Sequence, residues 1–177
     1  TDKFKELEDF AKENMVPIAQ KETAKFLEFI VSMKKPLRIL ELGTAIGYSA
    51  ILMSEATGNK ASITTVERDE NMIKYARENF KKYKLEDKIE IIEGDCLEVL
   101  ENLHGKYDLI FMDINMPYID GLSAVRKIRE VDDKVLIIFV TSLAQYAIKG
   151  YEVNAFDFIL KPVSYNSFVL KLNRVLD

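Results

Sequence analysis

A few acids and a glycine pair stand where this chain could carry chemistry. Asp113 ends the apolar run of YDLIFMD (107–113), and the loop INMP follows it. Glu41, Gly43, Gly47 and Ser49 lie in ELGTAIGYS, at the close of the apolar run LRILEL (37–42). Glu67 closes ASITTVE, 24 residues after Gly43, and Asp95 follows KIEIIEG, whose last residue is Gly94. Two glycines four apart let a backbone turn tightly and approach a ligand closely. A carboxylate at position 67 can accept two hydrogen bonds from a ribose diol, each worth roughly 1.5–3 kcal/mol. Asp95 is placed to meet an adenine edge. The pattern G-x-G-x-x-G is absent, because Ala45 stands where its second glycine would be. That disfavours a pyrophosphate, and E-x-G-x-x-x-G with a distant Glu suits a nucleoside without phosphates. The plainer alternative is a generic strand-to-helix turn with incidental acids.

Such acids need elements to hold them. Helical spacing covers 3–14 and 19–33, with Phe26, Leu27, Phe29, Ile30 and Met33 on one face, and Pro36 stops the second helix. Strands are expected at 37–42, 61–67, 88–94, 107–113, 134–140 and 155–160. Helices are expected at 48–57, from a cap at Asp69 to about Tyr83, and at 96–103, about 120–131, about 143–150 and 164–176. Apolar strands without polar alternation imply a parallel sheet covered on both faces. Right-handed crossovers then give a three-layer, doubly wound α/β fold of Rossmann-like type. The expected order is 3-2-1-4-5-6 in one domain over 1–177, with extra N-terminal helices.

Composition narrows the function. The 177 residues carry a formal net charge of −4, with 48% hydrophobic and 31% charged residues, as an ordinary globular domain does. That balance gives no electrostatic footprint for nucleic acid. No stretch reaches the roughly 18 apolar residues of a membrane span, and TDKFKELEDF does not read as a leader. The single cysteine, Cys96, excludes an intrachain disulfide and fits a reducing cytoplasm. The single histidine, His104 in LHGKYD, reads as a turn residue. The amphipathic first helix, with Phe4, Leu7 and Phe10, packs on the sheet or on a second copy, so a monomer or weak dimer is expected.

NMVPI, RILELGTAIGYSA, VERDENMIKYARENF and IIEGDCLEVL resemble the S-adenosylmethionine-dependent O-methyltransferases of the catechol type, over about 1–113. The resemblance implies that Glu41, Gly43, Thr44 and Ser49 line the methionine part of S-adenosylmethionine or S-adenosylhomocysteine. It implies that Glu67 holds the ribose, that Arg68, Asp95 and Cys96 border the adenine, and that Met15 and Val16 lie in a covering segment. After Asp113 the resemblance stops. The family continues with a lysine-bearing loop and, on a neighbouring strand, an Asp-Asn pair that completes a metal site. Here INMPYIDG and FVTSLAQ stand instead.

DLIFMDINMPYIDGLSAVRKIRE, LIIFVTS and NAFDFILKPV resemble the back half of a receiver domain of bacterial response regulators, the CheY-like family with its flavodoxin-like fold, over about 107–177. There the residue matching Asp113 accepts a phosphoryl group. Thr141 matches the hydroxyl that senses it, Lys161 the lysine that pairs with its oxygens, and Phe158 the aromatic switch position. The resemblance also suggests a cis Lys161–Pro162 bond. Receivers hold Mg2+ on an acidic pair near strand one. Here only Glu41 is acidic there, which leaves Asp113 as the one firm ligand of an incomplete metal site.

Both families place an apolar strand ending in Asp beside strand one. The expected protein is therefore an engineered chimera joined within 107–113, which keeps a nucleoside-cofactor site without a complete methyl-transfer site. A natural recombination is the alternative origin; a fold-only scaffold, a phosphoacceptor acting through Asp113 with Thr141 and Lys161, and a working O-methyltransferase are the alternative functions.

Overall fold

The computed structural model describes residues 2–113, 121–141 and 157–160. In chain order these form α1 (Asp2–Glu13), α2 (Lys21–Lys34), β1 (Arg38–Leu42), α3 (Tyr48–Ala56), β2 (Ser62–Glu67), α4 (Glu70–Lys82) and β3 (Ile89–Glu93). Then come α5 (Cys96–Asn102), β4 (Leu109–Asp113), α6 (Gly121–Val131), β5 (Leu136–Thr141) and β6 (Asp157–Leu160). Every strand pairing is parallel. The order runs β3-β2-β1-β4-β5, and the short β6 pairs with β5 at the outer edge. The fold is the Rossmann-like α/β sheet that the strand pattern predicts. The expected helices at about 143–150 and 164–176, Lys161 and Pro162 lie outside the described residues.

Alternation along the strands sorts the core onto two faces. Ile39, Ile63, Leu109, Phe111, Ile138 and Val140 join buried residues of α1–α4 in one cluster. Leu40, Leu42, Val66, Ile110, Met112, Ile137 and Phe139 join Ala124, Val125 and Ile128 of α6 in the other. Asp108, just before β4, fastens the strand starts, since its Oδ2 accepts from the Leu37 and Arg38 N–H groups at 2.9 and 3.0 Å.

The helices follow local signals. Asp69 caps α4 as expected, accepting from the Asn71 and Met72 N–H groups at 2.9 and 3.0 Å. On α2 the buried stripe is Thr23, Ala24, Phe26, Leu27, Ile30 and Val31. Phe29 and Met33, expected on that face, stand out in solvent, because a stripe centred on Leu27 and Ile30 turns positions 29 and 33 past its edge. The first helix packs within the chain. Leu7 is buried, Phe4 meets the Tyr48 ring edge-on at 5.9 Å, and Phe10 meets Tyr75 at 5.0 Å.

Candidate functional site

The loop after β1 is built by backbone geometry. The Gly43 and Thr44 N–H groups donate to the Val66 carbonyl at 2.9 and 3.1 Å, which ties the loop to β2. Gly43, Ala45 and Gly47 all have positive φ, at 95°, 47° and 89°. At Gly47 glycine is required twice over. A Cβ there would stand 2.5 Å from Cε1 of Phe80, and the conformation itself disfavours an L side chain. From α4, the Asn79 side chain donates to the Ile46 carbonyl at 2.8 Å and holds the loop down.

The register then gathers the acids. Glu41 stands opposite Thr65 on β2 and Phe111 on β4. Glu67 and Asp113 lie two residues further along those strands, so they share its face of the sheet at the carboxyl end. Glu41 is 1% exposed and Asp113 7%. The Glu41 Oε1 accepts from the Thr65 hydroxyl at 2.7 Å, and that hydroxyl also meets Thr44 Oγ1 at 2.6 Å. Its other oxygen, Oε2, has no hydrogen-bond partner. Burial pushes the Glu41 carboxyl up to about 8, against the bond from Thr65, and the charges of Glu67 and Asp113 push the same way.

Glu67 is already engaged. Its Oε1 accepts from the Ala45 N–H at 2.9 Å, and its Oε2 from the Arg68 and Asp69 N–H groups at 3.0 and 3.1 Å. An ionised carboxylate offers about four acceptor positions, so these bonds fix its orientation and leave room for a further donor. Asp95 caps α5 through Oδ1, accepting from the Leu97 and Glu98 N–H groups at 3.0 and 3.3 Å, while Oδ2 faces Arg68 at 3.8 Å. Gly94 joins β3 to this group, its N–H donating to the Glu67 carbonyl at 2.9 Å. Cys96 is buried, and burial first, then Asp95 and Glu67, push its thiol up to about 12.

The structure therefore brings Glu41, Gly43, Thr44, Gly47, Ser49, Glu67, Arg68, Gly94, Asp95, Cys96 and Asp113 to one end of the sheet. It does not bring Met15 there. The Val16 N–H reaches the Ala11 carbonyl at 2.8 Å and the Met15 N–H the Lys12 carbonyl at 3.4 Å, an α-helix ending with Met15 left-handed at φ 52°. That geometry leaves Met15 90% exposed and turns Val16 back to pack on the core. Pro17, Ile18 and Ala19 cover the loop instead. Together with Gly43, Ser49, Phe111 and Asp113 they line a cavity of about 20 Å³, room for a water molecule.

The covering residues directly follow the expected Met15 and Val16, and sequence reasoning missed the Thr65 partner of Glu41. Of the receiver-like residues, Thr141 is described by its backbone, which pairs with Leu160 of β6, and Lys161 lies outside the described residues. Among the described residues, no group of three or more His, Cys, Asp and Glu is placed to hold a metal ion. No helix among them is long and apolar enough to cross a membrane.

Known proteins resemble the chain on both sides of β4. The family model described as "Response regulator receiver domain" matches residues 63–173. This begins earlier than the 107–177 stretch read from the motifs, for β2–α4–β3–α5–β4 is the alternating unit of receivers too. The sensory transduction protein LytT of Oceanobacillus iheyensis is 41% identical over 80 residues, covering 43% of this chain and 32% of that protein. The chain spans about a third of the length of the curated relatives it matches. A solved structure from Staphylococcus aureus, named as a caffeoyl-CoA O-methyltransferase, is 30% identical with a TM-score of 0.66, covering 98% of this chain and 78% of that one. The S-adenosylhomocysteine-bound Podospora anserina methyltransferase PaMTH1 is 25% identical with a TM-score of 0.62, covering 89% of this chain and 66% of that one. Matched by the receiver model over most of its length, and covering more than two thirds of an O-methyltransferase at 30% identity, the chain belongs to both the response regulator receiver family and the O-methyltransferases.

Proposed function

We propose that this protein is an engineered chimera of the two families, one hybrid domain joined within β4, which binds S-adenosylmethionine or S-adenosylhomocysteine without completing methyl transfer. One observation carries the cofactor reading. A buried carboxylate oxygen, Glu41 Oε2, has no partner at the foot of the β1 loop, next to the charges of Glu67 and Asp113. A buried acid left unsatisfied among other acids calls for a cationic donor. The cofactor's α-ammonium group is one, and the sulfonium of S-adenosylmethionine adds a second positive charge. The residues fit: Glu41, Thr44 and Ser49 would hold the amino-acid end, Glu67 the ribose, and Arg68, Asp95 and Cys96 the adenine side. When bound, S-adenosylmethionine supplies an electrophilic methyl group.

Turnover needs an acceptor held in line with that methyl group. INMPYIDG stands where the O-methyltransferases carry a lysine-bearing loop, and FVTSLAQ where they carry the Asp-Asn pair. The receiver match favours a second reading, a phosphoacceptor at Asp113 with Thr141 and Lys161. The acidic pair near strand one that holds Mg2+ in receivers is reduced here to Glu41. The same reading makes the protein a cytoplasmic monomer or weak dimer.

The test is a calorimetric titration with S-adenosylhomocysteine, on the parent and on Glu67→Gln and Glu67→Ala. We expect binding in the parent and a loss of roughly tenfold or more in Glu67→Ala, the scale of one charged hydrogen bond. Absence of heat and of any rise in melting temperature at millimolar ligand, with the fold intact, would sink the reading, because a ligand selective for the native state stabilises it. A mass gain with a small phosphodonor and magnesium, lost in Asp113→Asn, would favour the receiver reading.

A further inference from the structure

We propose that a cleft at the opposite end of the strands binds a small organic phosphate, with its anionic head on Lys34, Lys106 and Lys134 and its apolar body against Tyr107 and Leu136. The cleft measures about 560 Å³, within the range of roughly 300–1,000 Å³ typical of small-molecule sites. It lies where α2 ends and β4 and β5 begin, whereas the Glu41 loop lies where the strands finish. The two sites are therefore independent. Residues 34–36 come from the methyltransferase-like part and 132–136 from the receiver-like part, so the cleft exists only where the two meet.

Its electrostatics favour an anion. The three lysines are exposed, and among the described residues none has an ion-pair partner. Two acids share the walls, and each has one carboxylate oxygen bonded to backbone N–H groups. Asp108 accepts from the Leu37 and Arg38 N–H groups. Asp132 accepts through Oδ1 from the Lys134 and Val135 N–H groups, both at 2.9 Å. These bonds hold the cleft's edges in place while the lysine donors stay available. Arg38 adds a cation beside the aromatic wall, its guanidinium 5.0 Å from the centre of the Tyr107 ring. Tyr107 and Leu136 are half-buried and flank a floor of Pro36, Leu109 and Val135. A bare inorganic anion would use the lysines and leave this apolar wall wet. An organic phosphate uses both.

The probe is phenyl phosphate, followed by amide chemical shifts on the full chain. We expect saturable shifts at 34–37, 106–109 and 132–136, with no change at 43–49. The double variant Lys106→Gln/Lys134→Gln, with an unaltered melting curve, should weaken binding about tenfold or more, as should raised salt. Inorganic phosphate should bind several-fold more weakly, and Tyr107→Ala should remove that difference. Absence of saturable shifts at millimolar probe, binding that survives the double variant, or equal binding of inorganic phosphate would each overturn the proposal. Glu67→Ala, which tests the cofactor loop, should leave phenyl phosphate binding unchanged, so the two proposals fail separately.

Discussion

Replacing Glu41 with Gln should change how the stability of this protein depends on pH. Glu41 is fully buried, with one oxygen bonded to Thr65 and the other without a partner. Its carboxyl titrates at about 8 in the folded chain against an ordinary value of 4.5. Below 4.5 both folded and unfolded chains hold the proton, and the group imposes no pH cost. Between 4.5 and 8 the unfolded chain gives up its proton while the folded chain keeps it. Stability then falls by about 1.4 kcal/mol for each pH step, and above 8 the loss levels off. The whole span withdraws roughly 5 kcal/mol, comparable to the entire stability of a small domain at about 5–15 kcal/mol.

Glutamine keeps the Thr65 bond and cannot ionise. Its amide places an unsatisfied donor where Oε2 stands, a pH-independent cost of about 1–3 kcal/mol. The variant should be the less stable protein near pH 5 and the more stable one near pH 8.5, with a crossing between. Urea unfolding of both proteins at several pH values is the assay. Carboxylates remote from Glu41 contribute equally to both curves and cancel in the difference, while the coupling to Glu67 and Asp113 is part of the effect read. Parallel curves over this range would refute the reasoning, for they would mean that Glu41 is solvated or already paired.

Two further outcomes follow from the loop. Gly47→Ala combines a left-handed backbone with a Cβ 2.5 Å from the Phe80 ring, and should lower unfolding stability by about 2–4 kcal/mol; a loss under about 1 kcal/mol would show that Phe80 yields freely. Cys96, buried with its thiol pushed up to about 12, should react with a thiol reagent at pH 8 far more slowly in the folded protein than in urea, and equal rates would contradict its placement.

The sheet was legible because the central strands β1, β4 and β5 are apolar runs, and β2 and β4 close on acids, Glu67 and Asp113. Asp69 announced α4 as a cap before a helical run, and the glycine spacing announced the β1 loop. What escaped depended on contacts between distant segments. No local pattern says that Thr65 will stand beside Glu41, since that follows from the register of β1 on β2. Asp95 reads as an adenine contact if only ligands are considered, yet DCLE is also a helix start, and the backbone uses it as one. The exposure of Met15 was not legible, because a helix ending with a non-glycine residue in a left-handed conformation leaves little trace in sequence. The segment beyond it, Pro17–Ala19, took the covering place.

The division of the core has a consequence for the joint. In the cluster on one face, Leu27, Ile39 and Ile51 from before β4 are sealed by Ile138 and Val140 from beyond it. On the other face, Leu40, Leu42 and Val66 lie under Ala124, Val125 and Ile128. The first cluster is built mainly from residues up to Phe111 and closed by Ile138 and Val140, while the second is shared with α6 and β5. A backbone break placed just after Asp113 would yield two fragments, each with an open apolar flank, and each would be the other's missing wall. On that arrangement β4 is the strand through which residues on either side of it share one sheet and two core faces.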